Sequence, residues 1–272
     1  MRSFLSSPTA AVGTLLLVFT CLVALFGPWL APYDPQVFEP IARLQGPSVA
    51  HWLGTDQFGR DLLSRVLNGA PATIAFGFGA TVLGVGIGAV IGVVAGVFGG
   101  WIDSTIMRIL DGLLAVPDLL FTLLIVTTLG SGMGHAMLAV AVAFAPGMAR
   151  ISRSAVLSVR TRDYVRAAVA RGEPAIYIIC CEVLPNALSP IVVEATIRVS
   201  FAIMIGATLG FLGLGAQPPS AEWGLMVAEA RQFMFRNPWC VAVPGLSIAL
   251  VALGFNLFGD ALRDSLDPRR SH

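Results

Sequence analysis

Residues 166–186 read RAAVARGEPAIYIICCEVLPN, a charged interruption between long apolar runs. The preceding Asp163 to Arg171 is compatible with a short helix, and Gly172 is a good stop because glycine tolerates the left-handed turn at a helix end. Pro174 suits the first turn of a new helix. In that helix Ile176, Ile179, Cys180 and Val183 fall at helical spacing before Leu184-Pro185. The reading is a short helix carrying Tyr164 and Arg166, joined by a second helix to the next apolar segment. Ala167 and Ala168 would let another surface approach the short helix closely.

Around this interruption the chain is far too apolar for a water-soluble domain: 56% of its 272 residues are hydrophobic and only 12% are charged. Uncharged runs of about 20 residues, the length that crosses a ~30 Å hydrocarbon core, lie near 10–30, 76–98, 135–149 and 238–259. Residues 105–129, which hold Asp111 and Asp118, and residues 187–212, which hold Glu194 and Arg198, are otherwise apolar and long enough to add two more. The expected fold is an all-α integral membrane protein with about six transmembrane helices. Residues 1–70 would form a first helix plus an outer segment, and residues 71–272 a core with a loop at 149–186.

All 17 basic residues are arginine. With the N-terminus inside, the inner segments hold eleven of them: Arg2, Arg108, the six from Arg150 to Arg171, Arg263, Arg269 and Arg270. The outer segments hold five: Arg43, Arg60, Arg65, Arg231 and Arg236. Excess arginine marks the cytoplasmic side, so both termini and the 149–186 loop are expected there. The first apolar run is longer than the 7–15 residues of a secretory signal core, and GPWLAPYD has no convincing small-residue cleavage site, so it is expected to remain as an anchor.

Missing residues exclude several chemistries. A phosphate-cradling P-loop needs a lysine to reach the β and γ phosphates, and this chain has none. Its histidines, His51, His135 and His272, are too few and scattered for a haem stack or a metalloprotease site. No catalytic residue, metal site or cofactor of its own is expected. Cys21, Cys180, Cys181 and Cys240 form no CxxC pair and are expected to be packing residues. A net charge of +1 gives no reason to expect nucleic acid as a partner.

Within the apolar segments several features stand out. Gly84, Gly88, Gly92 and Gly96 recur every four residues on one helix face, a smooth groove for close helix packing. Asp61 to Leu67 places Leu62, Leu63, Val66 and Leu67 opposite Arg60, Ser64 and Arg65, which suggests either a short helix lying on the outer membrane surface or a packed outer loop. Pro117 predicts a kink, and Asp118 beside it would cap the freed amides or border a polar pathway. Glu194 and Arg198, four apart, share a face and can neutralise one another as a structural pair, or together with Asp111 border a substrate route.

The interrupted stretch resembles the cytoplasmic loop of permease subunits of binding-protein-dependent ABC importers. That loop reads Glu-Ala-Ala, three residues, Gly, nine residues, then Ile-x-Leu-Pro, and Ala167-Ala168, Gly172 and Leu184-Pro185 match it at the right spacing. Arg166 stands where the family often has Glu, and Glu182 where Ile or His is usual. Four further stretches look like the C-type permease of the dipeptide, oligopeptide and nickel branch: HWLGTDQFGRDLLSRVLNGA (51–70), GGWIDSTIMRILDGLLAVP (99–117), GFLGLGAQPPSAEWGLMVAEAR (210–231) and NLFGDALRDSLDPR (256–269). The resemblance implies a type I importer permease fold and a coupling role for residues 164–172, which would dock in a cleft on a cytoplasmic ATPase. It implies a second homologous permease subunit, two ATPase subunits holding ATP and Mg, and an extracytoplasmic binding protein as partners. Di- or oligopeptides are the expected substrates, with nickel, metal chelates, glutathione and opines as alternatives. The rival from another class is an ion-coupled secondary transporter using Asp111, Asp118 and Glu194, although no repeat relates the two halves of the chain. A purely structural membrane scaffold is the further alternative.

Overall fold

The computed structural model describes residues 7–266, so Arg2, Arg269, Arg270 and His272 lie outside the described residues. Its α-helices are α1 (Pro8–Leu30), α2 (Leu62–Phe98), α3 (Gly100–Leu114), α4 (Asp118–Leu129), α5 (Met133–Arg160), α6 (Asp163–Ala170), α7 (Ala175–Tyr177), α8 (Leu184–Phe211), α9 (Trp223–Ala230) and α10 (Trp239–Leu266). Among the described residues five continuous helices are long and apolar enough to cross a membrane, and the bent pair α3–α4 taken together is long and apolar enough for a sixth crossing.

Small residues decide how these helices meet. Helix α1 buries Gly13, Thr20 and Gly27, one every seven positions, and leaves Leu15, Phe19, Leu22, Phe26 and Trp29 exposed as a lipid-facing stripe. A Cβ on Gly13 would come within 2.7 Å of the Phe258 backbone nitrogen, and one on Gly27 within 2.8 Å of the Leu67 carbonyl oxygen. Helix α1 therefore lies backbone to backbone against the end of α10 and the start of α2. The glycine stripe of α2 faces α5. Gly84 faces Ala141 and Phe144, Gly88 faces Ala145 and Met148, Gly92 faces Ala149 and Ser152, and Gly96 faces Val156, so α2 and α5 run parallel in intimate contact.

That parallel pairing fixes the topology between them. Because α2 ends where α5 ends, the chain must recross the layer before α5 begins, and only α3 and α4 lie between. At about 1.5 Å per residue neither α3 nor α4 alone spans ~30 Å. The single span expected over 105–129 is instead a pair bent by 87° at Ala115-Val116-Pro117. Pro117 occupies the N-cap of α4 and makes no side-chain cap bond there. Asp118 is the first residue of α4 and exposed, so the capping role expected of it is replaced by a carboxylate at the positive end of a helix.

The 37 residues of α2 measure about 55 Å, well beyond the apolar layer. The excess at its start is the Asp61–Leu67 segment, expected on the membrane surface or in a loop ending at Asn68-Gly69. It is instead the first turns of a continuous span, with Leu62, Ser64, Arg65 and Val66 buried. The division placed at residue 70/71 accordingly falls inside α2. Residues 31–61 and 212–238 fold over this end as a polar cap. Asp61 accepts from the Ser64 backbone N–H at 2.8 Å and lies 3.0 Å from His51 Nδ1. Asp56 pairs with Arg60 at 2.5 Å, and Arg60 and Arg65 reach Glu229 at 3.0 and 3.4 Å. The Trp223 indole N–H donates to the Val66 carbonyl at 3.0 Å, and Glu222 receives the Gly224 and Leu225 amides at 2.9 Å each, capping α9.

Of the cysteines only Cys240 is buried, so the packing role expected of Cys21, Cys180 and Cys181 does not hold. The described ends of α1 and α10 lie on the face that carries α6, opposite the polar cap: Gly13 meets Leu257 and Phe258, and Gly259 meets Ile197.

Candidate functional site

Helix α6 is terminated as its sequence dictates. Gly172 adopts φ +77°, its N–H donates to Val169 O at 3.0 Å, and the Glu173 N–H donates to Ala168 O at 3.3 Å, the paired bonds of a Schellman stop. Val165 is buried in a cluster with Ala155, Val156, Val159 and Val183, which seats α6 on the end of α5, and Ala168 is fully buried as well. Ala168 is therefore an anchor inside the protein, not part of the approachable surface expected of it, while Ala167 remains exposed.

The second expected helix and the fifth span are one rod. Residues 175–211 are continuous, and the stretch Ile178–Val183 is π-helical, with the Leu184 N–H donating to Ile179 O. Leu184-Pro185 thus marks no break. Proline is tolerated near a helix start, and the widened π turn accommodates it. Ile176, expected on the packed stripe, is 68% exposed. Tyr164, Val169 and Tyr177 are likewise exposed apolar or aromatic side chains, as is the charged Arg166. Spacing assigned Ile176 to the wrong face because the π turn shifts the angular register between it and Val183.

Between α6 and this rod lies a groove of about 340 Å³ lined by Val97, Val165, Val169, Ile178 and Ile179, with Arg160 and Arg166. Arg160 donates to Gly96 O and Val97 O at 2.7 and 2.8 Å, closing the last carbonyls of α2. Arg171, the C-cap of α6, lies 3.5 Å from Glu173 and 4.0 Å from Glu182 on the π turn. These pairs are partly solvated and contribute little energy. Arg153 grips Asp103 through two 2.5 Å hydrogen bonds, tying α5 to α3. Displacement of α6 would thus be felt by α2, α5 and α8 at once.

The four acidic and basic residues proposed for a pathway do not come together at one place. Glu194 and Arg198 pair at 3.1 Å, with the guanidinium 5.0 Å from the Phe144 ring centre and packed against Gly147 of α5. One turn along α5, Arg150 pairs at 3.8 Å with Asp111, both groups well exposed. Asp118 joins neither pair. Among the described residues no three His, Cys, Asp or Glu side chains converge on a metal site. What sequence reasoning missed is the polar cap. Its one readable signal is the density of charged residues in DQFGRDLLSR, whose partner Glu229 is far away in the chain.

Comparison with known proteins places these features in context. Residues 88–272 match the family described as binding-protein-dependent transport system inner membrane component, and residues 1–47 match the N-terminal transmembrane domain of oligopeptide transport permease C. The chain is 44% identical to the probable D,D-dipeptide transport system permease protein DdpC of Escherichia coli, covering 97% of this chain and 88% of that one. It is 45% identical to the dipeptide transport system permease protein DppC of Alkalihalophilus pseudofirmus, covering 96% and 86%. It is 40% identical to the glutathione transport system permease protein GsiD of Pectobacterium atrosepticum, covering 98% and 89%. A structure of the MetNI methionine ABC transporter in an inward-facing conformation matches with a TM-score of 0.62 at 21% identity, covering 75% of this chain and 97% of that one. That likeness concerns the fold alone, and it bears out the type I importer permease architecture.

Proposed function

Since the chain belongs to the binding-protein-dependent transport system inner membrane components, we propose that it is the permease subunit of an ATP-driven importer of di- or oligopeptides. The observation that carries the coupling part of this reading is the construction of α6. It is a short helix anchored by Val165 and Ala168, stopped by Gly172, and presenting Tyr164, Arg166 and Ala167 outward. An apolar and aromatic patch with an arginine is the composition of a protein interface core. The partner it fits is an ATPase subunit, which supplies ATP and Mg and performs the hydrolysis. Two such subunits, a second permease subunit and an extracytoplasmic binding protein complete the assembly. Closure of the ATPases would move α6, and the rod through residues 175–211 would carry that motion into the spans. The α6 face, with its excess of arginine, is the cytoplasmic one, as are the described ends of α1 and α10.

The substrate class rests on the relatives, whose names refer to a D,D-dipeptide, dipeptides and glutathione. Metal chelates and opines are the alternatives. The coupling test is cross-linking with a short bifunctional maleimide, in the assembled transporter with Cys21, Cys180 and Cys181 replaced by Ser. Ala167→Cys is expected to join the ATPase subunit, and Ala168→Cys, at a fully buried position, is expected not to. Equal labelling of both, or none at Ala167→Cys, overturns the docking.

A further inference from the structure

A cavity of about 380 Å³ opens between α5, α8 and α10 on the face that carries α6, within the size range of small-molecule sites. Ile151, Pro190 and Ile197 supply apolar wall, and Ser189, Glu194 and Arg263 supply polar groups. The two charges come from different helices, Glu194 from α8 and Arg263 from α10. Arg198 sits 3.1 Å from one Glu194 oxygen, but its buried Nε–H makes no hydrogen bond, so the pair is held by charge without a well-aligned bond. The Glu194 side chain remains 29% exposed, with capacity to accept from a ligand. Arg263 makes no ion pair or hydrogen bond with any described residue.

We propose that this cavity is a transient site for the two charged ends of a small zwitterionic peptide, the ammonium on Glu194 and the carboxylate on Arg263. A simple anion would face the Glu194 carboxylate and a simple cation would face Arg263, whereas a zwitterion satisfies both. Charged ends cost heavily inside an apolar layer unless they are paired. Between these ends the wall is apolar and unspecialised, which suits side chains of many kinds. The position on the α6 face makes this an exit station. Such a station must bind weakly enough to release, and a shallow site with one contact per end does so.

The proposal rests on the peptide reading above, and its test separates the two. In the purified assembly without binding protein, and with Cys21, Cys180 and Cys181 replaced by Ser, Ser189→Cys reports access to the cavity through its rate of maleimide labelling. Alanyl-alanine is expected to slow labelling, and its N-acetyl and C-amide forms are expected to protect poorly. Glu194→Gln should remove the preference for a free amine, and Arg263→Gln the preference for a free carboxylate. Each should raise the half-protecting concentration about tenfold, as loss of a charge-assisted hydrogen bond does. Arg263→Gln removes no hydrogen bond or ion pair among the described residues and so remains informative if Glu194→Gln misfolds. If proteoliposomes of the complete transporter import alanyl-alanine but labelling is unprotected, or is protected equally in both variants, the site is wrong. If alanyl-alanine is neither imported nor protective, the peptide reading falls and the site with it.

Discussion

Burial lifts the Glu222 carboxyl above its ordinary value of 4.5, against the pull of the Gly224 and Leu225 amides and the Thr73 hydroxyl, which favour the ionised form. A raised folded-state pKa means that this group's contribution to stability is full below 4.5 and is lost as pH rises through the folded value. Glu222→Gln cannot titrate. The melting temperature of the wild type minus that of Glu222→Gln is therefore expected to fall as pH rises from acid to neutral, and a growing difference contradicts the assignment. A few residues away in space, Glu229 is the shared acceptor of Arg60 and Arg65, whose side chains are almost fully buried. Glu229→Ala leaves both guanidiniums dependent on Asp56 and should cost about 3 kcal/mol, read as a loss of thermal stability in detergent. An unchanged melting curve would show that the cap does not depend on this carboxylate. Beyond the density of charge in DQFGRDLLSR, this was not legible in the sequence. Arg60 and Arg65 look like the solvated side of an amphipathic helix when only local spacing is available, and the groups that desolvate them are supplied by residues 212–238. Glu194 and Arg198 were legible because a four-residue spacing is a local fact.

At the level of helices, the four-residue glycine stripe was readable, and the α2–α5 contact gives it a sharp test. Gly92→Leu would drive a side chain into the Ala149 and Arg153 backbone and the Ser152 side chain, while Gly86, six residues earlier and on another face, would meet nothing within 4 Å of an added Cβ. Overpacking of this kind costs about 1–3 kcal/mol, and Gly86→Ala should be neutral or stabilising by up to about 1 kcal/mol. Thermal stability of the two variants, measured side by side, should diverge in that sense, and equal losses would mean that the stripe is not the packing surface. The stop of α6 was equally legible, since Gly172 carries its own conformational signature. A β-branched residue at φ +77° is strained, so Gly172→Val should reduce ATP-driven transport about tenfold or more while leaving membrane insertion intact. Full transport by that variant would deny α6 a coupling role. The 87° bend was only half legible: Pro117 announces a break, but its angle follows from α3 lying against α2 and α5 through Asp103–Arg153, a contact 50 residues apart in sequence. The π turn had no signal in composition or spacing.

At the scale of the molecule, the fold is two long rods, α2 and residues 175–211, crossing a layer that each exceeds in length. A buried ionic cap lies at one end and the short helix α6, seated on α5, at the other. Such an arrangement is stiff where motion must be transmitted and polar where the chain meets water. Sequence gave the number of crossings because hydrophobic length is local, and failed at the cap because tertiary pairing is not. In an importer driven this way the energy for transport enters through α6 from ATP and not from an ion gradient across the spans. The direct measurement is peptide uptake into proteoliposomes holding the complete assembly, supplied with binding protein and ATP on their respective sides, with a protonophore collapsing the proton gradient. Uptake is predicted to continue under the protonophore and to stop when ATP is withdrawn. Uptake that persists without ATP, or that collapses with the gradient while ATP remains, contradicts it.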